Sequence, residues 1–444
     1  MATRQGISWL LIGCWLPLMT SLEAGEWIDL SYTFDSTALY WPGELPFNLT
    51  PTSKGQQEFY WYEANTFSAS EHGGTHMDAP AHFWKGGWTL DQIPVERLVA
   101  NAALIDIEDR SQKDPDSILT PDDLADWKRQ HGSFQYPTIL LVRTGNAKYW
   151  SDSERYFGLQ NGTAIEKESD GPATPELHFP GVGAEAARLL ADDPAIVGVG
   201  IDTPSMDPGN AKTFPTHVIL YAANKFGLEN VGDMSRVPAT GATRAGRRDE
   251  DEPLSDTGLQ DSARGLWITR NTAEGQHEHA ALIDIEDRSQ KDPDSILTPD
   301  DLADWKRQHG SFQYPTILLV RTGNAKYWSD RARYFGFQNR TMIDTESNGT
   351  SAPELHFPGI GAEAGRFLAD DPAIVGVGID TPSIDAGNSK TFPTHVTLFS
   401  ANKFGVENVG DMSRVPATGA TILALPMKIG GGSGGPCRVL VRLP

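Results

Sequence analysis

A chain of 444 residues, 39% hydrophobic and 22% charged, has the balance of a globular protein large enough for two or three domains, which excludes a disordered or fibrous chain. Its formal net charge of −22 at pH 7 excludes the basic footprint that a nucleic-acid partner requires, while saying little about a small substrate. Beyond the first residues no stretch is long and apolar enough to cross a bilayer, so no membrane partner is expected.

The chain opens with a predicted secretory signal, residues 1–24: Arg4 is the positive start, residues 7–19 form an apolar run interrupted by Pro17, and residues 21–24 offer a cleavage site. Four glycosylation sequons, at Asn48, Asn161, Asn339 and Asn348, fit a secreted or secretory-pathway protein. Cys14 falls inside the signal, which leaves Cys437 alone in the mature chain and excludes an intramolecular disulfide.

The next informative stretch is His72-Gly73-Gly74-Thr75-His76-Met77-Asp78-Ala79-Pro80-Ala81-His82. Gly73, Gly74 and Pro80 oppose a helix. The three histidines and the aspartate are spaced at even offsets, so an extended chain would aim all four side chains from one face. Imidazole nitrogens and a carboxylate oxygen gathered there suit a divalent cation such as Zn²⁺ or Mn²⁺. The competing reading is a polar strand whose histidines are merely hydrogen-bonded. Nearby aromatics, Trp41, Phe83, Trp84 and Trp88, are candidates to hold an aryl ring or simply to pack.

Residues 102–243 then return as residues 280–421 without insertion, and 102–152 are identical to 280–330. Loops match as well as apolar positions, which packing alone does not demand, so a recent duplication, or a joining of two copies of one segment, is inferred. In the first block, residues 103–107 are expected to form a strand. Thr120 is a helix cap followed by Pro121, Asp122 and Asp123, with Leu124, Trp127 and Lys128 at helical spacing and Gly132 as the stop. Residues 137–142 predict a buried strand, 184–191 a helix and 196–201 another strand. This alternation predicts an α/β domain. Residues 244–279, polar and containing Arg-Arg-Asp-Glu-Asp-Glu, are expected to be a linker, with His277, Glu278 and His279 a solvated cluster. The second block lacks any counterpart of residues 72–82, and only it runs into the glycine-rich tail, residues 422–444.

The motif resembles the HxGTHxDxPxH signature of the cyclase family, which includes kynurenine formamidases and isatin hydrolases. Further pieces resemble it in order: WIDLSYTFDSTALYWPG, PGVGAEAARLL, GVGIDTPS and KIGGGSGGPCRVLVRLP. The resemblance covers residues 26–243 and the tail. It implies a swivelling β/β/α cyclase-type domain at 25–243, with a partial duplicate of its middle portion within 280–444. It also implies a metal site made by His72, His76 and Asp78, completed by His217 and Glu229 and holding one or two ions of Zn or Mn. His82 is implied as the proton shuttle, and Trp41 resembles a substrate-contacting residue. The second block offers His395 and Glu407 as alternatives to His217 and Glu229, and which block completes the site is open at this point. The implied reaction is hydrolysis of an aryl amide, N-formyl-L-kynurenine to kynurenine and formate in tryptophan catabolism, by a possible homodimer. A cyclic amide of the isatin type is the alternative substrate, and a non-catalytic secreted protein binding metal or aromatic metabolites is the alternative class.

Overall fold

In a computed structural model, the described residues are 27–159, 176–240, 267–269, 278–337 and 354–444. The expected signal at 1–24 and the sequons at Asn161, Asn339 and Asn348 lie outside them.

The N-terminal segment contributes β1 (Trp27–Asp29), a hairpin of β2 (Asn48–Gln56) and β3 (Trp61–Ser68), and the short β4 (His76–Asp78). The first block supplies β5 (Asn101–Asp106), α1 (Pro121–His131), β6 (Thr138–Arg143), α2 (Ala184–Asp192), β7 (Ile196–Ile201), α3 (Pro215–Ala222) and β8 (Phe226–Glu229). These strands make one sheet in the order β4-β8-β7-β6-β5, in which β5 to β8 are parallel and β4 joins β8 antiparallel.

Parallel strands buried on both faces need apolar residues at consecutive positions, and the Thr-Ile-Leu-Leu-Val run of β6 meets that need. Alternate residues then serve opposite layers. Ala103, Ile105, Leu140 and Val142 face Leu124, Trp127, Leu190 and Leu220 of the helices. Ala102, Leu104 and Leu141 face Ile28, Leu30 and Ile93 of the N-terminal segment. Thr120 caps α1 as expected, its hydroxyl accepting from Asp123 N while the Asp123 carboxylate accepts from Thr120 N. Leu124 and Trp127 are buried; Lys128 stays in solvent, where it reaches Asp193 at 2.8 Å. The strand expected at 103–107 begins two residues earlier and stops at Asp106, because Ile107 turns the chain into a short helix.

The second block repeats the plan with β10 (Glu278–Asp284), α4 (Pro299–His309), β11 (Thr316–Arg321), α5 (Ala362–Asp370), β12 (Ile374–Ile379), α6 (Pro393–Ser400) and β13 (Phe404–Val406); β9 (Trp267–Thr269) precedes it and pairs with β1. The tail adds an antiparallel pair, β14 (Ala420–Pro426) and β15 (Cys437–Arg442), giving the order β13-β12-β11-β10-β14-β15. Two parts of the expected linker are therefore strand. Residues 267–269 bond to β1, and Glu278 and His279 open β10, where they pair with Ile422 and Thr421; His277 lies outside the described residues.

The two blocks differ in cover. In the first, Tyr32 stacks on Trp150 with ring centres 3.7 Å apart, and Tyr221 is fully buried. Their second-block counterparts, Trp328 and Phe399, are 66% and 48% exposed. The difference follows from the sequence, since residues 27–101 occur once and pack on the first block.

Candidate metal centre

The motif reaches its positions by a turn, a short strand and a single helical turn. Gly74 adopts φ +56°, the left-handed region that favours glycine, and its backbone is gripped on both sides: N–H to Leu39 O at 2.9 Å, and C=O from Asn230 Nδ2 at 2.8 Å. Gly73 lies directly against the Tyr40 ring, where any Cβ would sit 2.0 Å from a ring carbon. β4 then carries His76 and Asp78 along β8, and Pro80 starts a 3₁₀ turn, Pro80–His82. The expected ribbon, with all four side chains on one face of an extended chain, is thus corrected: only residues 76–78 are strand, because Gly74 bends the entry and Pro80 favours a helical turn. The four side chains nevertheless meet.

Asp78 is the centre. Its Oδ1 lies 2.6 Å from His72 Nδ1 and 3.2 Å from His76 Nε2; its Oδ2 accepts from the Tyr221 hydroxyl at 2.7 Å and lies 3.5 Å from His217 Nε2. β8 and α3 bring in the rest. His217 Nε2 is 3.0 Å from Glu229 Oε1, and Glu229 Oε2 is 3.7 Å from His76 Nε2. His82 stacks on His72 with centroids 3.8 Å apart. Because β4 pairs with β8 and not with β13, these partners come from the first block. His395 and Glu407 repeat the local geometry at 3.1 Å in the second block, beside strand β13, with no β4 alongside.

The donors fit a divalent cation. Two triads, His72–Asp78–His82 and His76–Asp78–Glu229, each present ligand atoms within 4.8 Å of one another, and they share Asp78 as a bridging carboxylate would be shared between two ions. His76 Nδ1 donates to Gly74 O at 3.0 Å, which leaves Nε2 as the ligand atom; this buried nitrogen has no hydrogen bond, since Asp78 Oδ1 lies close but off its axis. His217 is oriented the same way by Asp207, whose Oδ2 is 2.6 Å from its Nδ1.

The electrostatics agree. Burial alone would push the Asp78 carboxyl up, but the facing imidazoles of His217, His72 and His76 hold it well below the usual carboxylate range. Burial would likewise lower His76 and His217, yet the facing carboxylates raise both, His217 well above the ordinary imidazole value. Asp78 and Glu229 therefore draw positive charge to the space between them, as protons or as a metal ion. His82 behaves oppositely. Loss of hydration and the neighbouring imidazoles bring it down to about 4 against the pull of Asp78, so it is neutral at pH 7.

His72, His76, His82, His217 and Glu229 line a cavity of about 410 Å³ with Trp41, Phe83, Phe157 and Phe214 as aromatic walls. Trp41 is wedged edge-on between Phe157 and Phe179, so it both packs and lines. Trp88 lies instead under Arg97, and Trp84 is exposed. Three residues escaped the sequence reading. Tyr221 sits one helical turn after His217, a legible signal; Asp207 and Asn230 become partners only when chain segments distant in sequence meet.

A family model described as putative cyclase matches residues 28–208 and 262–386. Isatin hydrolase from Roseibium aggregatum is 32% identical over 193 residues, covering 41% of this chain and 66% of the relative, just under two thirds. Kynurenine formamidase from Bacillus cereus is 28% identical over 212 residues, covering 47% of this chain and 84% of the relative. Among solved structures, isatin hydrolase A from Labrenzia aggregata bound to benzyl benzoate is 29% identical and covers 49% of this chain and 85% of that one, with a TM-score of 0.42. With the matched segments spanning well over half of its residues, this chain belongs to the putative cyclase family.

Proposed function

We propose that the chain is a metal-dependent hydrolase of a small aryl amide, with N-formyl-L-kynurenine as the first substrate to test. The observation that carries this reading is the pair of carboxylate–imidazole triads sharing Asp78, whose histidines and Glu229 line an aromatic-walled cavity. His72, His76, Asp78, His217 and Glu229 would hold one or two ions, of Zn or Mn by donor type. A bound divalent ion would polarise the amide carbonyl and acidify water.

The residues of the chain supply the remainder. Neutral His82, at the cavity edge, takes a proton from water and returns it to the leaving nitrogen, so the amide is cleaved to a carboxylate and an amine. Asp207 keeps His217 Nδ1 protonated so that Nε2 faces the centre. Phe83 and Phe214 stand beside His217 and exclude water on that side.

A second reading, ring opening of a neutral cyclic amide such as isatin, is favoured by the cavity lining. Among the described residues it contains Glu44 and Glu71 but no Lys or Arg to meet a substrate carboxylate. The experiment is metal analysis of the purified chain with turnover of both substrates, before and after chelation. Hydrolysis lost on chelation and restored by Zn²⁺ or Mn²⁺ is expected; turnover indifferent to chelation refutes the proposal, and metal binding without turnover indicates a binding protein. Secretion remains part of the proposal: Asn48, exposed on β2, is expected to carry glycan when the full chain is expressed in a eukaryotic secretory host.

A further inference from the structure

The tail of the second block reaches back to the motif without entering the cavity. Lys428 Nζ bonds Asp29 Oδ2 at 2.8 Å and Ser31 O at 2.9 Å. Phe34 N donates to Lys428 O at 2.8 Å, Gly430 N donates to Phe34 O at 3.0 Å, and Phe34 and Ile429 form a parallel bridge. Met427 and Ile429 pack on the cluster of Ala38, Tyr40 and Phe47.

Each of these contacts stands one step from the motif. The peptide after Ser31 puts Tyr32 N on Thr75 Oγ1 at 2.9 Å, and Thr75 in turn donates to Asn230 O at 2.7 Å. The Phe34 ring occupies the space that a Cβ on Gly74 would enter, 2.7 Å away, and Tyr40 covers Gly73. Phe34 and Tyr40 thus form the wall against which the Gly73–Gly74 turn is shaped, and the tail holds that wall from behind.

We infer that residues 427–430 are a strap that positions the His72–His76 turn for cation binding, so that the second block contributes to the first block's centre by delivering this strap. Lys428 acts through Ser31 and Thr75, and Ile429 acts through Phe34 and Gly74. Both are positioning residues, since neither lines the cavity. The inference rests on the reading of the motif as a metal centre.

The test measures Co²⁺ binding to the full-length chain by its visible absorption and by calorimetry, alongside the metal-free melting temperature. The variants are Lys428→Met, Ile429→Ala, Ile429→Val and, as a control in the same tail, Val441→Ala, which packs on the second block's own core. The expected result is Co²⁺ affinity about tenfold weaker in Lys428→Met and Ile429→Ala, the scale seen when groups supporting metal ligands are removed. Ile429→Val should recover it, and Val441→Ala should lower the melting temperature without changing affinity. Should Ile429→Ala fail to fold, Lys428→Met gives the same reading by its separate route. Unchanged affinity in both strap variants overturns the strap alone, as does equal weakening by Val441→Ala. An unaltered chain that binds no Co²⁺ overturns the metal-centre reading and the strap with it.

Discussion

Replacing Asp207 by Asn changes almost no volume and reverses one polarity at the point that orients His217. The Asp207 carboxylate accepts three bonds: Thr216 N at 2.8 Å on Oδ1, and His217 N at 3.1 Å and His217 Nδ1 at 2.6 Å on Oδ2. An amide can place its single oxygen toward Thr216 or toward His217, but not both, so its NH₂ must face a donor. Either choice removes a buried charge-assisted bond, a loss of about 1.5–3 kcal/mol. If the NH₂ faces the imidazole, it also favours the proton on Nε2, the atom that points at Glu229 and Asp78. The lost bond lowers stability, while the wrong tautomer and the freed ring weaken metal affinity, by about 10- to 100-fold for such supporting carboxylates. Calorimetric titration of metal-free Asp207→Asn with Zn²⁺, compared with the unaltered chain, reads this directly. An affinity within twofold of the unaltered chain would show that Asp207 only caps α3 and that His217 needs no orientation.

Further outcomes follow from the same geometry. His82→Gln should cut kcat by about 10²- to 10⁴-fold while the ion held by His76, Asp78 and Glu229, the triad without His82, stays bound. Because His82 is depressed from 6.5 to about 4, the unfolded chain takes up its proton first. Stability should therefore fall as pH drops from 6.5 toward 4, and His82→Gln should remove that share of the acid sensitivity in denaturant melts. His395 has the opposite sign. Burial would lower it, but Asp385 and Glu407 raise it to about 9, so its contribution is whole below pH 6.5 and disappears as pH rises through 9; His395→Gln should flatten the stability curve across that window. Gly73→Ala drives a methyl into the Tyr40 ring, and a loss of about 1–3 kcal/mol in urea melts is expected, together with weaker metal binding; a neutral result would mean that the motif turn has slack.

The sheet was legible because its strands advertise themselves. The apolar run at 196–201 needs no partner to be recognised, and β7 occupies those residues. Capping of α1 by Thr120 was equally local. At the motif, residue types and spacing pointed to the four groups that meet, yet the path between them was misread. Even spacing suggests an extended chain, whereas Pro80 and the left-handed Gly74 bend it, and convergence comes from those bends. Choice of block was not legible at all, since His217 and His395 sit in nearly the same words; the antiparallel pairing of β4 with β8 decides it. Asp207 stayed hidden for a related reason. Its tie to His217 exists only once the loop after β7 meets the start of α3.

Strand β13 has a consequence for how the protein behaves in concentrated solution. Phe404–Val406 ends its sheet at the place where the matching β8 of the first block carries β4. The margin strand of a sheet is where backbone from a neighbouring molecule can be added, and short length is one protection against it. β13 is only three residues long, and the net charge of −22 keeps copies apart at low ionic strength. Salt that screens this repulsion should therefore leave the shortness of β13 as the remaining brake on association, which light scattering across a salt series reads.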